Sequence, residues 1–241
     1  MKGVIASIAR RATVVDLTHQ IPPGDVRAGA FALAASYRFF PKGTIHIAVV
    51  DPGVGSERKA IAVQTVDYFF VGPDNGVLSW ALQREKIKSI RALENQSRFL
   101  KPVSRTFHGR DIFAPAAAHL SGGLIIEKLG PARKDFVRLE WPQTRQTRRA
   151  VQGEIVYVDH FGNLITNLDS AALIPNDRTA AHVFVRGKRL CPIAAFYQAV
   201  ESGKPVGVLG SAGFLEIAVN GGNASKKLKL SVGSQVEVRF Q

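Results

Sequence analysis

Cysteine is nearly absent from this 241-residue chain. Its one thiol, Cys191, has no partner for an internal disulfide and no second thiolate for a zinc site. The neighbours Leu190 and Pro192 predict a buried side chain rather than a nucleophile. Long apolar runs are missing too. None reaches the ~18 to 20 residues of a membrane-crossing helix, and the start lacks the apolar stretch and small-residue cleavage site of a signal peptide. A cytoplasmic protein without a membrane partner is expected. Acids are few: 19 Asp and Glu stand against 32 Lys and Arg, a net charge of +13. Such a surplus raises nucleic acid as a partner. The charge is spread, however, and its densest cluster, residues 138–149, has no zinc-finger, recognition-helix or aromatic RNA-binding signature. No specific nucleic-acid partner is expected. The histidines and acids form no HxH, HxxxH or comparable ladder, which argues against a metal. The glycines form neither GxGxxG nor a P-loop, which argues against the usual nucleotide cradles.

What is present suits a globular protein of two parts. Hydrophobic residues make up 46% and charged residues 21%, enough apolar material for a core. Up to residue 140, segments alternate between strand and helix patterns. Residues 12–18 read as a strand and 24–40 as a helix capped by Asp25 and stopped by Pro41. Residues 43–50 and 59–73 read as strands, 76–84 as a short helix, and 109–123 as a helix closed by glycines. This alternation predicts an α/β domain with a largely parallel sheet. Residues 141–152 read as a basic linker. From 153 to 241, short alternating strands broken by Gly, Asn and Pro predict a smaller antiparallel β-barrel.

Three stretches of the first part carry candidate chemistry. In "IHIAVVDPGVGSERKAIAV" (45–63), Asp51 follows a buried strand, where open α/β sheets bind ligands. A tight Pro-Gly turn then leads to Arg58, which can fold back to hold the carboxylate ionised. A turn-capping aspartate and a surface arginine account for the same stretch equally well. Asp74 and Asn75 in "VGPDNGVLS" are either a turn pair or part of the same cleft. His108, in "TFHGRDIFAP" with Asp111, is the histidine at a loop-to-helix junction; His46 on a strand and His119 at a helix end read as structural. In the second part, Asn163 offers paired donors and acceptors suited to a purine edge. Ser211 and Glu216 offer groups for a hydroxyl or ammonium. Hairpin turns in a β domain explain the same polar residues.

The segments "VVDLTHQIPPGDV", "FFPKGTIHIAVVDPGVGSERKAIAV", "FVGPDNGVLS", "FHGRDIFAPAAAHL", "VDHFGNLITNL" and "GFLEIAVNGGNA" together resemble the S-adenosylmethionine hydroxide adenosyltransferases, relatives of the fluorinating and chlorinating adenosyl enzymes. The resemblance runs in order along essentially the whole chain. It implies an N-terminal α/β domain, a C-terminal β-barrel, and a homotrimer with active sites between one subunit's first domain and its neighbour's second. It implies a catalytic Asp51, Arg58 and His108 acting on water, with S-adenosyl-L-methionine as substrate and no cofactor. Attack at C5′ releases methionine as a neutral thioether, so no general acid is needed. By the same resemblance Asp159 and Ser211 lie near the methionine carboxylate and ammonium, and Glu216 near the nucleoside. Halogenating relatives carry tyrosine in place of Asp51, and fluorinating ones serine in place of Gly109, which favours hydrolysis over halogenation. A nucleoside-binding remnant without turnover is a further alternative. Family members also open with a strand bearing a "TDFG"-like motif ahead of "MKGVI", and this chain shows none.

Overall fold

The computed structural model describes residues 1–173 and 181–240. It divides into two compact units, Met1–Glu140 and Trp141–Gln241.

In the first unit, helices α1 (Lys2–Ile8) and α2 (Val26–Ser36) precede strand β1 (Ile45–Ile47). A hairpin, β2 (Ala60–Thr65) and β3 (Phe69–Pro73), is followed by α3 (Ser79–Leu82), β4 (Ile87–Ala92) and α4 (Ala114–Ser121). Asp25 caps α2 as expected, its Oδ1 accepting from the Ala28 amide at 2.9 Å, which satisfies one of the orphan donors of the first turn. The buried face of α2 carries Ala28, Ala30, Phe31, Leu33 and Ala34.

The strands form one sheet in the order β1-β3-β2-β4. Only β1–β3 is parallel; β2–β3 and β2–β4 are antiparallel. The largely parallel sheet expected from the alternation is therefore a mixed one. The cause is the short connection between β2 and β3, which fits a hairpin but no crossover. Residues 12–18, expected as a strand, carry no ladder pairing, and Val14, Val15 and Leu17 are exposed. β-branched residues alone do not make a strand without a neighbour to pair with. A core of Ala62, Val71, Phe113, Ala116 and Leu129 joins the sheet to the segment carrying α4. His46 points to the opposite side of β1, buried among the rings of Tyr37, Phe40, Tyr68 and Phe70. Burial there pushes its pKa down to about 4, as befits a neutral structural histidine.

The second unit holds β5 (Arg145–Gln146), β6 (Ala150–Val158), β7 (Leu164–Asp169), β8 (His182–Val185), β9 (Lys188–Ala194), β10 (Pro205–Leu209), β11 (Phe214–Val219) and β12 (Gln235–Arg239), with short helices α5 (Ser170–Leu173) and α6 (Ala224–Leu228). The order β12-β8-β9-β10-β11-β7-β6 closes on itself through β12–β6 into a barrel, and β5 flanks β6. Alternate residues such as Val151, Ile155, Leu164, Leu215, Ile217 and Val238 fill its interior. Two expectations change here. The segment 141–152 is not purely a linker, because Arg145 and Gln146 pair with Gln152 and Val151. The barrel is not purely antiparallel, because β9 and β10 run parallel. Cys191 lies in the barrel core, and burial raises its thiol pKa to about 12. It is a packing residue.

Candidate active site

β1 is continued by the Ala48 amide, which donates to the Val71 carbonyl at 3.1 Å. The extended run then ends at Asp51. Asn75, at the end of the neighbouring strand, donates from Nδ2 to the Val50 carbonyl at 2.8 Å while its Oδ1 accepts from the Val77 amide. Asn75 thus fixes the backbone immediately before Asp51. The turn that follows closes with Val54 N donating to Asp51 O and Ser56 N to Gly53 O. Gly55 adopts φ +78° and packs against the Arg105 carbonyl so closely that a Cβ would overlap it. Glycine is required there on both counts.

That turn returns Arg58 to Asp51. Its Nε donates to Oδ1 at 2.9 Å and its Nη2 to Oδ2 at 2.5 Å, a two-pronged pair with both side chains at most 10% exposed. The guanidinium also lies 5.4 Å over the Phe113 ring. Arg58 Nη2 stands 2.8 Å from His108 Nδ1. The structure therefore joins Asp51, Arg58 and His108 into one chain of polar contacts. A guanidinium has only donors, so His108 Nδ1 is the acceptor and the proton of the neutral ring resides on Nε2. Partial burial first, and the Arg58 charge second, hold the His108 pKa below its ordinary value, against the opposing pull of Asp51 and Asp111.

Asp51 also lines a cavity of about 440 Å³, walled by Thr18, Ile21, Pro23, Val49 and Val77 among others. That volume is in the range of small-molecule sites. Asp74, the other acid considered near this cleft, is structural. Its Oδ1 accepts from the Val137 amide at 2.7 Å, and Oδ2 lies 3.4 Å from Arg133.

In the second unit, Asp159 and Asn163 close the β6–β7 turn. Asp159 Oδ1 accepts from the Asn163 amide at 2.8 Å, and Oδ2 from Asn163 Nδ2 at 3.0 Å. The Asn163 side chain is thereby oriented, and it keeps one N–H and its carbonyl for another partner. Glu216 accepts from the Tyr197 hydroxyl at 2.8 Å, and its carboxylate lies where a side chain at Gly210 would stand. Ser211 follows in the same turn, closed by Gly213 N donating to Gly210 O. Burial raises the Glu216 pKa, with Asp159 adding to the shift and the Tyr197 bond opposing it. Asp159 acts electrostatically on both Glu216 and Tyr197, so Asp159, Asn163 and Glu216 lie near one another. The turn of Ser211 instead meets the far end of β7, where the Ser170 amide donates to the Gly213 carbonyl. The rings of Phe161 and Phe196 are exposed. Among the described residues, no three His, Cys, Asp or Glu side chains converge as a metal site, and no helix is long and apolar enough to cross a membrane.

Residue reading did not single out Phe113 or Tyr197, whose involvement depends on tertiary placement. Asn75 and Asp111 were visible as polar residues in glycine-flanked turns, without any sign of what they hold.

The profile of the SAM hydroxide adenosyltransferase N-terminal domain matches residues 1–130, and that of the C-terminal domain matches residues 153–237. The chain belongs to the SAM hydroxide adenosyltransferase family. It is 39% identical to an (R)-S-adenosyl-L-methionine hydrolase of Thermus thermophilus, over 99% of this chain and 92% of that one. A fluorinase of Actinopolyspora mzabensis is 30% identical over 98% of this chain and 90% of its own. Among solved structures, an uncharacterized conserved protein from Thermotoga maritima superposes with a TM-score of 0.91 at 38% identity, covering 99% of this chain and 93% of that one.

Proposed function

We propose that this member of the family hydrolyses S-adenosyl-L-methionine to adenosine and L-methionine, with Asp51, Arg58 and His108 as the water-handling group. The observation that carries the reading is the carboxylate–guanidinium–imidazole chain whose carboxylate, Asp51, lines a ligand-sized cavity. The similarity to (R)-S-adenosyl-L-methionine hydrolases of 38–39% identity over nearly the full length supports it.

The chemistry follows from the polar inventory. Each Asp51 oxygen accepts one bond from Arg58 and retains a lone pair for water. His108 retains a donor at Nε2. A water held by both directs one proton at the carboxylate and a lone pair at C5′. As the O–C5′ bond forms, the C5′–S bond breaks and its electron pair stays on sulfur, giving the neutral thioether of methionine. The water proton passes to Asp51 and on to solvent. Holding the nucleophile in line is the main contribution of such a site. His108 serves as donor and anchor here rather than as a second proton acceptor, because its Nδ1 lone pair already faces Arg58. A halide would be repelled by the Asp51 carboxylate, which instead accepts from water, and this favours water over the chemistry of the fluorinase relatives.

Asn163, held by Asp159, is suited to an adenine edge, and Ser211 and Glu216 to the rest of the substrate. The same reading includes a homotrimer whose neighbour covers the exposed Phe161 and Phe196, no bound cofactor, and a cytoplasmic location to be checked by fractionation. The test is incubation with S-adenosyl-L-methionine followed by chromatography. Adenosine and methionine are expected in equal amounts, and Asp51→Ala should lose turnover by at least about a hundredfold. A 5′-halogenated nucleoside as the main product in chloride or fluoride, or wild-type turnover by Asp51→Ala, would refute the assignment.

A further inference from the structure

We infer that Asp111 is a positioning residue for His108, fixing the imidazole so that its Nδ1 faces Arg58. The inference rests on the proposed water-handling group and extends it by one residue outward.

Asp111 is a carboxylate with no exposure to solvent. A charge in that position is costly unless it is paired and hydrogen-bonded, and the partners of its side chain, Ser104 and Arg110, flank His108. Oδ2 accepts from the Ser104 amide at 2.8 Å. Oδ1 accepts from Arg110 Nε at 2.6 Å and Oδ2 from Arg110 Nη2 at 3.0 Å. Its backbone carbonyl accepts from the Leu100 amide, and its own amide donates to Phe107 O. Arg110 then stacks over the Phe107 ring at 5.0 Å. One side chain therefore ties the loop before His108 to the turn after it.

That turn, Gly109–Phe113, is π-helical and runs directly into α4. A π turn widens the helix by one residue and is commonly found at functional sites. Here it stands between His108 and the regular helix. The 104–107 loop is also held by the Ser104–Thr106 contacts, its packing on Gly55 and the bonds of the Arg110 and Asp111 amides to Phe107 O. The Asp111 carboxylate adds the link to Ser104, at the start of the loop, and so bears on the direction in which His108 leaves it. The Arg110 guanidinium holds the Asp111 pKa below its ordinary value, and the Ser104 amide adds to the effect. The tether therefore stays ionised over the neutral range.

The experiment compares wild type, Asp111→Asn, His108→Ala and the double variant. Asparagine can still accept from Ser104 but cannot balance Arg110. If Asp111 acts through His108, Asp111→Asn lowers kcat about tenfold to a hundredfold and leaves KM within about twofold, and adding it to His108→Ala costs nothing more. Nitrogen NMR of the imidazole gives a readout independent of turnover: the fixed Nε2–H tautomer of wild type should become a mixture in Asp111→Asn. An equal loss of kcat in both backgrounds, or an unchanged tautomer, overturns the inference. Should Asp111→Asn fail to fold, Arg110→Ala replaces it, since the Arg110 side chain is 41% exposed, with the same outcomes read in the same way. Absence of adenosine release by wild type would sink the hydrolase reading alone, while the NMR comparison would still decide the role of Asp111.

Discussion

Arg58 stands between a carboxylate and an imidazole, and it can only donate to both. Protonating His108 would set two cations against each other across 2.8 Å, so the working form of the ring is the neutral one. The direction of the shift gives the pH dependence. Because the His108 pKa is held below the ordinary value of 6.5, activity should be full above that value and fall as pH drops through a lower one. A profile of kcat/KM from pH 4.5 to 8 checks this, and an inflection at or above 6.5 would contradict it. Each of the three residues was legible in the sequence: Asp51 by its place at a strand end, Arg58 by the short turn that follows, His108 by its loop-to-helix junction. The return of Arg58 to Asp51 was legible from the short turn, but the joining of His108 to that pair was not. His108 lies 50 positions from Arg58, and no local spacing rule spans that interval. The resemblance supplied the grouping, and the geometry gives His108 its tautomer.

The elements that hold these side chains were read unevenly. The Asp25 cap and α2 followed from short-range chemistry, and they were found as expected. The hairpin that makes the first sheet mixed was missed, because an apolar run of 59–73 reads the same whether its two strands run parallel or fold back. The strand expected at 12–18 failed because β propensity describes a surface and needs a partner to express it. The turn between β1 and β2 matters more for the site than any strand. Gly55→Ala would place an alanine at φ +78° against the Arg105 carbonyl, with about 1 to 2 kcal/mol of backbone strain before the overlap is counted. Its melting temperature should fall by several degrees, and kcat should fall because the same turn aims Arg58 and the Arg105 loop carries His108. Calorimetry and turnover assays on purified Gly55→Ala check both. Unchanged values for the two would mean that the turn tolerates a side chain and does not set the pair.

At the scale of the whole molecule, the α/β-plus-barrel architecture was evident from the change of pattern after residue 140, where helical spacing gives way to short strands. Barrel closure and the parallel β9–β10 pairing were not, since both join strands through long-range registry that alternation does not encode. Phe161, in the turn closed by Asp159 and Asn163, is 74% exposed, and Phe196, next to the Tyr197 that bonds Glu216, is 59% exposed. Aromatic surface of that kind beside a polar cluster is suited to burial by another copy of the chain. Light scattering on the eluted protein should give the mass of a trimer. Phe161→Asp should shift it toward single chains and reduce turnover with it; a wild-type protein eluting as a single chain with full activity would exclude the shared site. The ring of strands carries a further consequence. β12 pairs with β6 on one side and β8 on the other, so residues 235–239 are the keystone of a circle begun more than eighty positions earlier, at Ala150 to Glu154. A ribosome releasing this chain in order would present β6 to β11 as an open, curling sheet with free edges. Only with Arg239 in place can the circle shut, which puts closure late in biosynthesis and makes the loop entropy it must overcome largely independent of the first unit.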